Sequence, residues 1–280
     1  MLYTPMMRSL CWLTLMLATP VLAQAPLALP LMTKYVNVFG VGLYATASVG
    51  DELLQHSAGV MAQYLDNDAD GKADNPALVA VMVAKQASMI LFFDESEFDD
   101  FFDEIEASDI EERLDSGALL LQDLFASEIQ LNPSKQAFDA TLEEVLHLVT
   151  HAGYAQAWPQ TFAELAGSDL TRAMDVARGG HFEDIPSNYP SQAWYRYDDD
   201  SCDYACMATE YFYWSLTSLL GAQSHRLDDI GHEWRLNTPA KMQQDVLMYA
   251  LLTDPQWRLP TQLPNGRYQP KVLTIGSVLR

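Results

Sequence analysis

Hydrophobic and polar positions change period several times along this chain, and each change predicts an element. Residues 34–49, KYVNVFGVGLYATASV, are crowded with β-branched and aromatic side chains and broken by Gly40 and Gly42, which predicts a buried strand or hairpin. From 51 to 65 the spacing turns helical, with Leu53, Leu54, Val60, Met61 and Leu65 on one side and His56 in a structural position. A helix over 77–87 and a short central strand over Ser88 to Phe93 follow. The acidic segment 94–116 reads as loop plus a surface helix, its charges forming a solvated face. Residues 118–131 suggest another strand, ended by Asn132-Pro133. In 137–154, AFDATLEEVLHLVTHAGY, Phe138, Leu142, Val145, Leu146 and Val149 recur at helical spacing up to a stop at Gly153.

Beyond Gly153 the chain is helical and aromatic. Pro159 to Ala166 and Ser168 to Arg178 predict two short helices, the second capped by Ser168, and Gly179-Gly180-His181 predicts a turn. A long helix is expected from near Tyr204 to Gly221, and KMQQDVLMYALL reads as a further amphipathic helix before a Pro-rich tail. Residues 189–214 concentrate Tyr and Trp, which suits either core packing or a substrate-lining wall. The fold class is therefore α+β and predominantly helical. A small mixed sheet with backing helices and a ligand-bearing helix precedes a mostly helical C-terminal half. Residues 24–280 read as one domain, with an upper α+β part over 24–154 and a helical lower part over 155–280.

Composition narrows the function. Of 280 residues, 49% are hydrophobic, enough to bury a sizeable core. Thirty-eight acidic residues against 16 basic ones give a net charge of −22, so the clustered Lys and Arg that neutralise phosphates are missing. This balance excludes nucleic acid as a partner and disfavours anionic membrane surfaces. Residues 1–23 read as a secretory signal, with Arg8 as the charged start, Ser9 to Thr19 as an apolar core containing Cys11, and Val21-Leu22-Ala23 as the cleavage site. The mature chain is then expected to begin near Gln24, with no membrane span, and to be periplasmic or secreted. Cys202 and Cys206 remain as an even count in an oxidising compartment, which predicts a disulfide staple.

Two stretches offer ligand chemistry. Glu144, His147 and His151 form a second stripe on the helix of 137–154, and at about 100° per residue the two imidazoles lie roughly 40° and one turn apart. Both can reach one ion, as in an HxxxH zinc helix, while helix-surface or core packing is the plainer reading. Leu148 stands where a zinc peptidase carries its general-base Glu, so Glu144, one turn before His147, is a third ligand or a displaced base. Glu210 sits among Ala208, Tyr211, Trp214 and Leu216; buried there it is costly unless paired or coordinated, which makes it the third-ligand candidate beside a half-exposed alternative. Asp66, Asp68, Asp70 and Asp74 occupy positions 1, 3, 5 and 9 of an EF-hand-like loop with Gly71 at position 6. Position 12 is Ala77 instead of a bidentate Glu, which leaves calcium or an acidic solvated turn. HEWRL at 232–236 lacks a second His.

With His147, His151 and Glu210 identified, the sequence resembles the gluzincin-type zinc metallopeptidases, nearest to the group related to the catalytic domain of anthrax lethal factor. The order of strands and helices up to the His pair resembles that of a zincin's upper subdomain, and TEYFYW at 209–214 resembles the helix that gives the third ligand there. The resemblance implies zinc on His147, His151 and Glu210, with Glu144 or Glu143 as base. Tyr204, six residues before Glu210, would be the phenol that stabilises the tetrahedral intermediate. It implies an exported peptidase acting on peptide or protein. The residues equally fit a closed, non-catalytic Glu144-His147-His151-Glu210 metal site, or a calcium-stabilised acidic binding module, and Glu and His ligands also suit iron or manganese.

Overall fold

Two consecutive residues with positive φ, Phe39 (55°) and Gly40 (101°), fold the first apolar run back on itself. The result is an antiparallel hairpin of β1 (Met32–Val38) and β2 (Val41–Thr46). The computed structural model describes residues 26–134 and 138–278; the expected signal segment, with Arg8 and Cys11, lies outside them. After β2 come α1 (Asp51–Leu65) and α2 (Pro76–Ala84), then β3 (Ser88–Phe92), α3 (Glu95–Ile105), α4 (Asp109–Asp115) and β4 (Leu121–Phe125). β3 runs parallel to β2, and β4 parallel to β3. β5 (Gly276–Ser277), near the end of the chain, returns to pair antiparallel with β1. The sheet order is β4-β3-β2-β1-β5, a small mixed sheet of the expected kind.

Strand alternation gives this sheet two different faces. Leu43, Ala45, Met89 and Leu91 join the large core beneath α1, α2 and the later helices. Tyr44, Ile90 and Phe92 point the other way and meet Phe101, Ile105 and Ile110 of α3 and α4. The acidic segment is thus two helices and not one surface helix with a loop. Asp94 caps α3 by accepting from the Glu97 amide at 3.2 Å, and Ser108 caps α4 by accepting from the Ile110 amide at 3.2 Å.

The ligand-bearing helix also departs from its expected span. α5 covers Thr141–Leu148, after which Val149–Tyr154 form a π-helical segment that runs into α6 (Ala155–Ala157). Its start is delayed because Asp139 is engaged elsewhere. Oδ1 of Asp139 accepts from the Gln130 amide at 3.1 Å and the Thr141 amide at 3.2 Å, while Oδ2 meets buried His56 at 2.7 Å. His56 is structural, as expected. Within the π segment Gly153 is the tight point: a Cβ there would sit 2.6 Å from Leu78 Cδ1 of α2.

The lower part is helical. It comprises α7 (Pro159–Phe162), shorter than the expected 159–166, α8 (Asp169–Arg178), α9 (Tyr204–Leu219), α10 (Leu227–Ile230), α11 (Pro239–Met242) and α12 (Val246–Thr253). The single amphipathic helix expected over 241–252 is split because buried Asp245 turns back on the chain. Its carboxylate accepts from Met248 N at 3.1 Å, Trp194 Nε1 at 2.9 Å and the Tyr211 hydroxyl at 2.5 Å. Most of the aromatic stretch is core: Tyr195, Tyr211, Phe212 and Tyr213 are fully enclosed with Trp234. Cys202 and Cys206 form the expected disulfide, Cα to Cα 5.4 Å, at the entry to α9. Among the described residues no helix is long and apolar enough to cross a membrane.

The C-terminal tail locks onto α1. Gln63 Oε1 accepts from the amides of Asn265 (2.9 Å) and Gly266 (2.8 Å), and a Cβ on Gly59 would overlap the Gly266 carbonyl. Gly to Ala in a solvated helix gains about 1 kcal/mol of propensity. At Gly59 the sign reverses, and Gly59→Ala is expected to destabilise by about 1–3 kcal/mol through overpacking. The readout is a thermal midpoint several degrees below wild type by circular dichroism; an unchanged or higher midpoint would contradict the packing described.

Candidate metal centre

The centre forms where α5 crosses α9. Glu143 and His147 are one turn apart on α5, and Glu210 projects from the middle of α9. One ligand atom from each of the three lies within 4.8 Å of the other two. His147 and Glu210 are each 8% exposed, so neither is an ordinary surface group. His147 Nε2 and Glu210 Oε1 are 3.5 Å apart, yet Nε2 makes no hydrogen bond, and neither does Glu210 Oε2. Two buried polar atoms without partners cost a few kcal/mol together. Ligands held at about 2.0–2.1 Å in tetrahedral array are separated by roughly 3.4 Å, close to the spacing seen here. The donor set is thus one that could hold a metal ion.

The other face of the imidazole is prepared in the way metal-binding histidines usually are. His147 Nδ1 lies 3.4 Å from Glu144 Oε2, which also accepts from Gln122 Nε2 of β4 at 2.8 Å. A carboxylate at Nδ1 fixes the tautomer that leaves Nε2 free to bind. Glu144 thus lies on the Nδ1 side of His147, and Glu210 on the Nε2 side. Tyr213, three residues after Glu210, packs edge-on to His147 with ring centroids 5.7 Å apart.

Two residues expected in this site are elsewhere. His151 falls in the π segment, where the 100° step used to align it with His147 no longer applies. Its Nδ1 pairs with Glu164 Oε2 at 2.6 Å, and its side chain is 47% exposed. Glu164 is itself held by Thr209 Oγ1 of α9 at 2.9 Å. Glu143 takes the place expected for His151 beside His147 and Glu210. Tyr204 is also displaced: its hydroxyl donates to Asp175 Oδ1 at 3.1 Å and its ring lies 4.8 Å from His181. The signal for Glu143 was its i, i+4 relation to His147, overshadowed by the more familiar HxxxH spacing.

The electrostatics are those of a buried, acid-rich cluster. Burial alone would lower His147, but Glu210, Glu144 and Glu143 outweigh it and raise the imidazole to about 9. Burial, then the charge of Glu210, pushes Glu143 up to about 8. Burial also raises Glu210, against the opposing charge of His147.

A second cluster occupies the loop between α1 and α2. Asp66, Asp68 and Asp74 bring carboxylate oxygens within 4.8 Å of one another. Asp70 is not in that group; its amide donates to Asp66 Oδ1 and Asp68 Oδ1, each at 3.1 Å. Gly71, at φ 87°, makes the turn expected of position 6. Asp66 is wholly buried and accepts from the Gly71 amide at 2.8 Å and from the Tyr268 hydroxyl. Burial and the charges of Asp68, Asp66 and Asp70 raise Asp74. A third group, Asp198, His232 and Glu233, is exposed over two of its three members.

Compared with protein-family models, with curated proteins and with solved structures, the chain has no match in any of the three. The chemistry of the centre therefore rests on its own residues.

Folded-state pKa values raised above the ordinary ones mean that the folded chain holds extra protons, so stability falls as pH rises. The window runs from 4.5 to about 8 for Glu143 and from 6.5 to about 9 for His147. In chelator the thermal midpoint should therefore decline across that range, and a divalent ion should cancel the decline by replacing the lost protons. A midpoint that is flat with pH, or that ignores zinc, would contradict this centre.

Proposed function

We propose that the chain is an exported metal-dependent hydrolase whose ion, zinc in the first instance, is held by Glu143, His147 and Glu210. The observation that supports this most is the pair of buried atoms without partners, His147 Nε2 and Glu210 Oε2, in one three-residue cluster. Three protein donors leave a tetrahedral ion one position short, the count typical of catalytic and not structural sites. An ion bound there supplies Lewis acidity and brings the pKa of water toward neutrality. Glu144 keeps the imidazole oriented, and the Tyr213 ring shields it. Glu143, one turn before His147 in the same cluster, serves as ligand or, with the ion on His147 and Glu210 alone, as base. Export is supported by the residue pattern of 1–23 and by the Cys202–Cys206 disulfide. A peptide is the substrate class that the gluzincin resemblance suggests, now with Glu143 in place of His151.

Purified protein should hold about one zinc per chain, and His147→Ala and Glu210→Ala should abolish stoichiometric binding. Glu144→Gln should weaken it by about 10–100-fold, as expected for a group that only orients a ligand. Glu143→Gln separates the two roles, because loss of zinc makes Glu143 a ligand whereas retained zinc with lost peptide hydrolysis makes it the base. Zinc retained by wild type with no hydrolysis of a mixed peptide library would replace the hydrolase by a closed metal site. Absence of any stoichiometric transition metal would reject both.

For the loop of Asp66, Asp68, Asp70 and Asp74 we propose a structural calcium ion, supported by the oxygen-only donor set and the crowding of three carboxylates. Millimolar calcium should raise the thermal midpoint by several degrees, and Asp68→Asn should reduce the rise. A midpoint indifferent to calcium would leave the loop as a turn closed by its own hydrogen bonds.

A further inference from the structure

Three segments that are distant in sequence enclose a cavity of about 450 Å³ that shares no residue with the metal centre. The turn of the β1–β2 hairpin supplies Phe39 and Gly40, the loop between α1 and α2 supplies Lys72 and Ala73, and the C-terminal tail supplies Tyr268 and Lys271. Each wall is held by hydrogen bonds. At the hairpin turn Asn37 Oδ1 accepts from the Gly40 amide at 2.9 Å, and in the tail the Leu273 carbonyl accepts from Gln55 Nε2 of α1 at 2.8 Å. The Tyr268 hydroxyl, donating to Asp66, joins tail to loop. The cavity is therefore already formed, and its volume falls within the range of about 300–1,000 Å³ typical of small-molecule sites.

The lining of this cavity differs in charge from the molecule as a whole. Pro76, Val79, Val272 and Leu273 give it aliphatic walls, and Val272 is 91% exposed, an apolar side chain that a ligand would cover. No acidic side chain lines it. Its only charged groups are the ammoniums of Lys72 and Lys271, in a chain where acids outnumber bases by 38 to 16. Lys72 Nζ is engaged by Asp70 Oδ2 at 3.3 Å. Lys271 Nζ lies 4.5 Å from the centroid of the Phe39 ring, and among the described residues it has neither a hydrogen-bond acceptor nor an ion-pair partner. A ring face attracts an ammonium without accepting its N–H bonds in the way an oxygen does, so its donors are left for solvent or for a ligand. Lys271 is exposed, which makes those donors reachable. Tyr268 braces Phe39 edge-on, with ring centroids 6.3 Å apart, and so keeps the seat of the ammonium in place.

We propose that this cavity binds a small aliphatic monocarboxylate, with its chain against Pro76, Val79 and Leu273 and its carboxylate on Lys271 Nζ. One unpaired ammonium matches a single negative charge, and a lysine is a point charge that offers no fork for bidentate recognition of a larger oxyanion. The chain is aliphatic because the walls are Pro, Val and Leu side chains, while a face of Phe39 is occupied by Lys271. The net charge of −22 does not forbid an anion here, since acids more than about 8–10 Å away are screened at physiological salt. Of the nearer acids, Asp70 is paired with Lys72, and Asp66 is buried beneath the Tyr268 hydroxyl. The site depends on neither the hydrolase nor the calcium reading: it uses none of Glu143, His147 and Glu210, and it needs no ion in the Asp-rich loop.

The test titrates the full chain as purified with octanoate, followed by calorimetry at low salt, with octanol as the neutral molecule of the same length and acetate as the head group alone. Octanoate should saturate one site and bind about tenfold more tightly than either comparison, the effect of one charge-assisted contact on top of the chain. Lys271→Ala should reduce octanoate to the level of octanol, and Lys271→Arg should keep most of the affinity. Lys72→Ala removes a lysine that is already paired and should change affinity by less than about threefold. Raising the salt concentration should weaken octanoate and leave octanol unchanged. Ala73→Leu fills the cavity and should abolish binding of both; because Lys271 is exposed, its variants decide the matter even where Ala73→Leu lowers the thermal midpoint. Absence of saturable binding, octanol bound as tightly as octanoate, or octanoate bound equally by wild type and Lys271→Ala overturns the site. Octanoate retained by a folded Ala73→Leu does the same. Binding lost in His147→Ala and kept in Lys271→Ala would move the carboxylate to the metal centre, overturning the cavity site while leaving the metal reading intact.

Discussion

A histidine held between two carboxylates, one half-buried and one buried, is the constraint around which the crossing of α5 and α9 is arranged. His147 has Glu144 at Nδ1 and Glu210 at Nε2, with Glu143 alongside. Three acids and one base cannot all be ionised in a low-dielectric interior without a compensating cation or bound protons. The raised values of Glu143, Glu210 and His147 are the proton solution to that problem, and a divalent ion is the alternative. Either way the helix crossing of α5 and α9 is held by electrostatics at its centre and by apolar contacts around it.

The surrounding fold keeps that crossing fixed. α5 is anchored at its start by the Asp139–His56 pair and by the Tyr64 hydroxyl, which donates to the Leu142 carbonyl at 2.8 Å. Beyond Leu148 the change to π-helical hydrogen bonding releases α-type pairing, and Thr150 Oγ1 compensates by donating to the carbonyls of Leu146 (3.0 Å) and His147 (3.1 Å). π segments of this kind often occur beside functional sites, because an extra residue per turn redirects side chains without breaking the helix. Here the redirection takes His151 out to Glu164, and Glu164 in turn ties the segment to Thr209 on α9.

What the residue pattern reveals follows the range of the interactions involved. The hairpin, α1, β3, the Asp-rich loop, α9 with its lone Glu210 and the Cys202–Cys206 staple all depend on neighbours within a turn or two, so they are legible. The π segment is not, because nothing local in HLVTHAGY distinguishes it from α-helix; Gly153 within it packs closely on Leu78 from another helix. Likewise Asp245 splits a helix by binding Trp194, 51 residues away, and β5 is recruited by an edge of β1 more than 200 residues earlier in sequence. The shift from His151 to Glu143 has the same origin. A choice between two residues on one helix was made by partners on other elements.

Charge distribution gives the last constraint. With a net charge of −22 the chain repels anions at long range, yet that repulsion is screened beyond about 8–10 Å in salt, so short-range placement of single cations decides what enters a pocket. Among the described residues two arginines lie against aromatic rings in different ways. Arg178 is fully enclosed with Nε and Nη2 unpartnered, whereas Arg226 is half-buried and its Nη1 donates to Gln223 Oε1. Stacking on Phe138 holds the Arg226 guanidinium in place without neutralising it, because a ring face offers the cation an electrostatic partner but no proton acceptor. An ion held by Glu143, His147 and Glu210 would offset part of the negative charge that the acids bring to the crossing of α5 and α9.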